Sequence, residues 1–292
     1  MKRSLLPGVG SIALGAGIAV SAVLGPLVLD VVTFRTSAKI ENQFAGGEAV
    51  SLVVVAPVAI TAGVLWLRGH RLAAPLTFGP AIYAVYTSTT VIVGQEYARY
   101  DGNVESFFPL YAALVASGAA IAVCAWRRLN ESEAPTPSPG LRRALAGIFL
   151  GVGGFFALAW AQQIRLVYAG NFPVDYLAGP TLFWAIKLLD FGFLIPALIA
   201  TGAGLLYQHP AAIKAAYGLA PFLMCLAGSI TGMGVVMLAK GDPSAEPAVL
   251  AVALTVTVGL AVVTAQVLRS YLRVASKRPS IAARYRSGAA ST

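Results

Sequence analysis

Eight apolar stretches, most of them bounded by polar or basic residues, constrain this chain more than any other feature. About 20 apolar residues carry a helix across the hydrocarbon of a bilayer, where every backbone polar group must be bonded within its own segment. The runs fall at 8–31, 49–67, 73–94, 108–126, 144–167, 181–206, 211–238 and 247–268. Composition agrees, with 58% hydrophobic and only 11% charged residues, against about 25% charged in soluble domains. The fold class that follows is all-α: a polytopic integral membrane bundle of about eight helices. The first run begins behind a basic "MKRS", as a signal peptide would, but stays apolar to Leu29. That exceeds the ~7–15 residues of a signal-peptide core, so a retained first span is expected.

A net charge of +9 would point to nucleic acid in a soluble protein. Here the basic residues flank the apolar runs, and no nucleic-acid partner is expected. Lys2, Arg3, Arg68, Arg71, Arg127, Arg128, Arg142, Arg143, Lys214 and the tail after Leu272 fall on one side if the N-terminus lies inside. This bias predicts a multi-pass protein of the cell membrane with both termini cytoplasmic. Of the 12 acids, only Glu131 and Glu133 fall on that inner side.

The Pro-rich stretch 129–142 reads as a flexible cytoplasmic linker dividing a first half, 1–128, from a second, 143–272. The basic tail 273–292 reads as disordered and suited to anionic lipid or a protein partner. The division exposes a repeat. "PVAITAGVLWLRGH" (57–70) and "PALIATGAGLLYQH" (196–209) share Pro, Ile, Gly, Leu and His at an offset of 139 residues. Both halves would start on the same side, giving a 4+4 parallel internal repeat. The prolines at 57, 80, 196 and 221 should kink their spans. Gly147/Gly151 and Gly228/Gly232 offer two GxxxG contacts.

The sixth run, "FWAIKLLDFGFLIPALIATGAGLL", carries Lys187 and Asp190 one helical turn apart. Counting inward at 1.5 Å per residue over a ~30 Å core puts Lys187 at the outer boundary and Asp190 about 5 Å below it. The nearest arrangement is a local i,i+3 ion pair with Lys187 snorkelling outward. The same offset maps Glu48 onto Lys187. Ionisable groups inside a bundle are candidates for function. With those in the outer loops they give a candidate ligand- or ion-binding set: Asp30, Glu41, Glu48, Gln95, Glu96, Tyr97, Asp101, Lys187 and Asp190. Aromatic residues crowd the same side, as an interfacial belt or as walls for an organic cation.

Neither a nucleotide loop nor an HExxH or GxSxG motif is present, and two cysteines and two histidines form no metal spacing. No catalytic residue, metal or cofactor is expected. The set suits a transporter-like protein that binds or moves a small solute or cation. A non-transporting accessory or sensor subunit, with a protein partner at the outer loops or tail, is the alternative. A lipid-directed membrane enzyme lacks any specific acidic spacing.

Overall fold

The computed structural model describes residues 5–129 and 134–276, and among them the chain is helical without strands. The tail beyond Ser276 and the acids Glu131 and Glu133 lie outside these residues. Among the described residues eight helical segments are long and apolar enough to cross a membrane, so this is a multi-pass membrane protein. The first span is α1 (Leu6–Leu24). The second runs from α2 (Ala38–Val50) through a π-helical segment, Ser51–Val55, into α3 (Ala56–Leu67). The third and fourth are α4 (Ala73–Val93) and α5 (Phe108–Arg128). The fifth is α6 (Pro139–Tyr168). A short α7 (Val174–Ala178) leads to the sixth, made of α8 (Pro180–Leu189), a second π segment, Asp190–Leu194, and α9 (Ile195–Leu206). The last two are α10 (Pro210–Ala239) and α11 (Pro247–Ser276).

Four boundaries differ from the hydropathy reading. The eighth span continues to Ser276 instead of ending at 268, so 273–276, read as the start of a disordered tail, are helical. The first span stops at Leu24, because Gly25-Pro26 starts a turn in which Asp30 takes a positive φ of 51°. The second begins at Ala38, not near 49, because the polar stretch around Glu41–Gln43 is helical and packs on α10. The fifth begins at Pro139, with Ser138 accepting from the Leu141 N–H as N-cap. The stretch before it is also tied down: Leu129 is buried, and the Pro135 carbonyl accepts from the Tyr217 hydroxyl at 2.7 Å.

The second and sixth spans match in backbone detail. The two π segments occupy positions 139 residues apart, and each closes with an i→i−5 bond, from Ala56 N–H to Ser51 and from Ile195 N–H to Asp190. Pro57 and Pro196 follow at once. A proline has no N–H to offer the carbonyl four residues back, and its ring collides with that carbonyl. Widening the turn to π moves the carbonyl aside, so the expected kink is realised as a bulge. The spans also end alike. Gly69 and Gln208 take positive φ, and the His70 and His209 N–H groups donate to Leu65 and Gly204, both at 2.8 Å. Small residues bring α1 onto α3 and α6 onto α9: a Cβ on Gly63 would lie 2.6 Å from the Gly8 carbonyl, and one on Gly202 3.1 Å from that of Ala146. Pro80 and Pro221 lie inside α4 and α10, which cross at the centre with Gly79 against Pro221.

The likeness between the two sets of spans breaks at two contacts: α1 packs on α5 whereas α6 and α11 make no substantial contact among the described residues, and a second break, at α2, makes room for a cavity. On α2, Gly46 and Gly47 let the backbone settle onto Gly232 and Ser229 of α10. The corresponding residues of α8 are Ala185 and Ile186, whose side chains hold it off α4, so α8 touches α4 only lightly. The Gly228/Gly232 motif therefore packs helices, whereas Gly147 and Gly151 have open space where a Cβ would stand. Gly46→Ala should be destabilising by about 1–3 kcal/mol, because its new methyl meets the α10 backbone, which cannot yield as a side chain can. Gly147→Ala should be neutral or slightly stabilising. Thermal unfolding in detergent checks the contrast.

Candidate functional site

Loops 25–37, 94–103, 169–179 and 240–246 gather at one end of the bundle, which carries most of the acids. Below them a cavity of about 1050 Å³ opens between the first four spans and the last four. That is at the upper end of the ~300–1,000 Å³ typical of ligand pockets. Its walls are mostly apolar, with a few polar groups brought in by α2, α4, α6 and the second π segment.

Asp190 opens that π segment and is 2% exposed. Both of its oxygens are engaged: Oδ1 accepts from the Tyr86 hydroxyl at 2.9 Å and Oδ2 from the Trp160 indole N–H at 2.7 Å. Its counterpart, Ser51, opens the first π segment and meets the Tyr83 hydroxyl at 2.9 Å. Tyr83 and Tyr86 stand three residues apart on α4. This one helix thus carries a hydroxyl to each π segment, one in each set of spans.

Lys187 is also buried, at 5% exposure, one turn before Asp190. The expected ion pair between them is not formed. Among the described residues Lys187 has no carboxylate within 4.0 Å of its ammonium. The ammonium instead sits between two rings, 3.8 Å from the Trp160 centroid and 3.9 Å from that of Phe183. Desolvated cation–π contacts contribute about 2 kcal/mol or more each. The reason is competition. Donors from α4 and α6 hold the Asp190 carboxylate, although its spacing from Lys187 is still α-helical.

Glu48 lines the same cavity from the opposite set of spans, at the position that maps onto Lys187. Its carboxyl lies against Gly25 at the C-terminal end of α1, where the helix dipole is unfavourable to an anion. Its Oε2 is buried without a hydrogen-bond partner. Gln163 of α6 also lines the cavity and has a buried, unpartnered Oε1. The Tyr111 hydroxyl of α5, on the same cavity wall, is likewise buried without a partner, so two acceptors and one hydroxyl of the lining are left unmatched among the described residues, which is costly at such depth.

The remaining candidates do not join this group. Gln95 is 1% exposed and staples the loops, accepting from the Arg35 N–H at 2.7 Å and donating to the Val91 carbonyl at 2.6 Å. Glu96 accepts from the Thr181 N–H at 2.7 Å, and the Tyr97 hydroxyl donates to the Ile92 carbonyl at 2.8 Å. Asp101 is exposed near Arg35, which is itself paired with Glu105. Asp30 is an exposed turn residue, and Glu41 is half-buried on α2. Two further ties cross between the sets of spans above the cavity: Lys39 to Asp175 at 2.6 Å, and Asn42 to Asp242 at 3.0 Å. Hydrogen bonds from Ser244, and then from Asn42, hold the Asp242 carboxyl below the usual carboxylate range. A depressed pKa supplies stability that is present at neutral pH and lost as pH falls through the folded value. The stability difference between wild type and Asp242→Asn should therefore shrink on acidification below the ordinary aspartate range, as pH-dependent thermal unfolding would read.

Residues that the charge-based reading did not single out, Tyr83, Tyr86, Trp160 and Gln163, do much of the positioning. A signal for two of them was present in "YAVYTSTT" (83–90), a hydroxyl-rich run inside the third span. No protein-family model matches the chain, and neither a curated protein nor a solved structure shows significant similarity to it.

Proposed function

We propose that this membrane protein binds a small solute carrying a cationic group in the cavity between its two sets of four spans, and carries it across the bilayer. The observation that carries this reading is Glu48, whose Oε2 is buried without a hydrogen-bond partner among the described residues, at the wrong end of a helix dipole, facing a cavity of ligand size. A cation there would supply what the protein does not. Carriage is supported by the matched architecture: parallel repeats with their site at the repeat interface can rock about it, and π segments are frequent at functional sites. The excess of basic residues at the opposite end supports cytoplasmic termini.

The test compares choline and ethanolamine with 3,3-dimethylbutanol, the uncharged isostere of choline. A cation at a hundredfold excess over its Kd should stabilise the wild type by about 2.7 kcal/mol. The neutral alcohol should not, and Glu48→Gln should lose at least tenfold in affinity for the cations. Proteoliposomes should take up the bound cation in a Glu48-dependent manner. Equal stabilisation by the alcohol, or undiminished binding by Glu48→Gln, would refute the reading.

A further inference from the structure

The cavity does not close on its membrane-facing side. Its wall there is made by Gly151 and Phe155 of α6 and by Val249, Val252 and Val256 of α11. Phe155 is 65% exposed and Val252 65%. Among the described residues α11 packs chiefly on α10 and α6 chiefly on α9, so α6 and α11 face each other across a gap. In spanning helices such exposed apolar side chains face acyl chains, not water. The gap therefore joins the polar interior to the lipid, within the first ten residues of α11 from the acidic end, or about 15 Å of its length.

Inside, two ionisable side chains lack direct partners of opposite sign among the described residues. Glu48 has no donor, and Lys187 has no acceptor among the described residues, its ammonium being held only by ring faces. They occupy corresponding positions in the two sets of spans and line one cavity. Asp190 makes no direct contact with the Lys187 ammonium, since both of its oxygens are engaged by Tyr86 and Trp160, and it and Asp175 act on that ammonium only at a distance. A cation alone would answer Glu48 and leave the ammonium unmatched. A ligand with both signs answers both.

We infer that the ligand is a zwitterionic amphiphile drawn from the bilayer: its ammonium at Glu48, its anionic group at Lys187, and its chain leaving through the gap between α6 and α11. This rests on the reading of Glu48 given above and adds the anionic group and the route. The membrane is the source because the mouth between α6 and α11 is apolar and lateral, whereas the aqueous end is crossed by the Lys39–Asp175 and Asn42–Asp242 ties.

The full chain in maltoside micelles is titrated with dodecylphosphocholine, dodecyltrimethylammonium and glycerophosphocholine, and bound copies are counted by native mass spectrometry. One dodecylphosphocholine should bind, at least tenfold more weakly to Glu48→Gln and to Lys187→Met. Dodecyltrimethylammonium, lacking the phosphate, should weaken in Glu48→Gln but not in Lys187→Met, which also shows that the latter variant is folded. Glycerophosphocholine should bind at least tenfold more weakly than the amphiphile. Gly151→Phe projects into open space at the mouth, so it should weaken dodecylphosphocholine and spare glycerophosphocholine. Two results would overturn the inference: unchanged dodecylphosphocholine affinity in Lys187→Met, or equal affinity for the soluble headgroup together with no effect of Gly151→Phe. If either occurs while choline still binds in a Glu48-dependent way, the zwitterionic amphiphile fails alone. Loss of choline binding as well would remove the site reading beneath it.

Discussion

Deleting Val53 should destabilise the bundle by about 3 kcal/mol, although Val53 itself is 68% exposed. The residue matters as a spacer. A π turn holds one residue more than an α turn, so removing Val53 lets Ser51–Val55 close as an ordinary turn while the helices on either side keep nearly the same register. Gly46, Gly47 and Glu48 therefore stay in place, and the cost falls on Pro57, which meets the carbonyl four residues back in an unwidened turn. That is a large part of the ~5–15 kcal/mol margin of a folded domain. Thermal unfolding in detergent should show the loss. Val53→Ala, which keeps the count and loses only a lipid-facing side chain, should stay within about 0.5 kcal/mol of wild type. Gly192 is the corresponding position of the second π segment, and its deletion should cost as much through Pro196. A Val53 deletion as stable as wild type would mean that the π turn is not what accommodates Pro57.

Asp190→Leu should cost about 2–4 kcal/mol, and Asp190→Asn much less. Leucine leaves the Tyr86 hydroxyl and the Trp160 indole N–H without acceptors beside a buried Lys187. Each orphaned donor costs about 1–3 kcal/mol in a buried site. The lower part of that range applies here, since hydrogen bonds between membrane helices average about 0.6 kcal/mol. Asparagine can keep both contacts, because its oxygen accepts from the indole while its amide donates to a reversed tyrosine hydroxyl. The pair of variants separates hydrogen bonding from charge: thermal unfolding should rank wild type and Asn close together and Leu well below. If Asn falls as far as Leu, the negative charge near Lys187 is the larger contribution, and the two hydrogen bonds are secondary.

Several local expectations met competitors from elsewhere in the chain. Lys187 and Asp190 are spaced for a helical ion pair, yet Tyr86 and Trp160 reach Asp190 first, while the Trp160 and Phe183 rings enclose the ammonium. Gln95, Glu96 and Tyr97 look like ligand-facing groups in an acidic loop, yet each is spent on backbone amides and carbonyls that a loop at a membrane surface must satisfy. The polar start of α2 reads as loop by hydropathy because the reading is blind to α10, which shields one of its faces.

The chain's own order of residues determined that it spans a membrane eight times and that residues 57–70 and 196–209 correspond. Each of these depends on segment length, backbone stereochemistry or composition, which neighbours in sequence decide among themselves. The tertiary structure alone decided that Glu48, Lys187 and Asp190 line one cavity, and that the cavity exists. Those outcomes depend on which distant helix comes close: glycines at 46 and 47 let α2 settle on α10, whereas Ala185 and Ile186 hold α8 away from α4. A difference of a few side-chain atoms at matched positions thus set where the bundle packs and where it opens, and no local pattern carries that information.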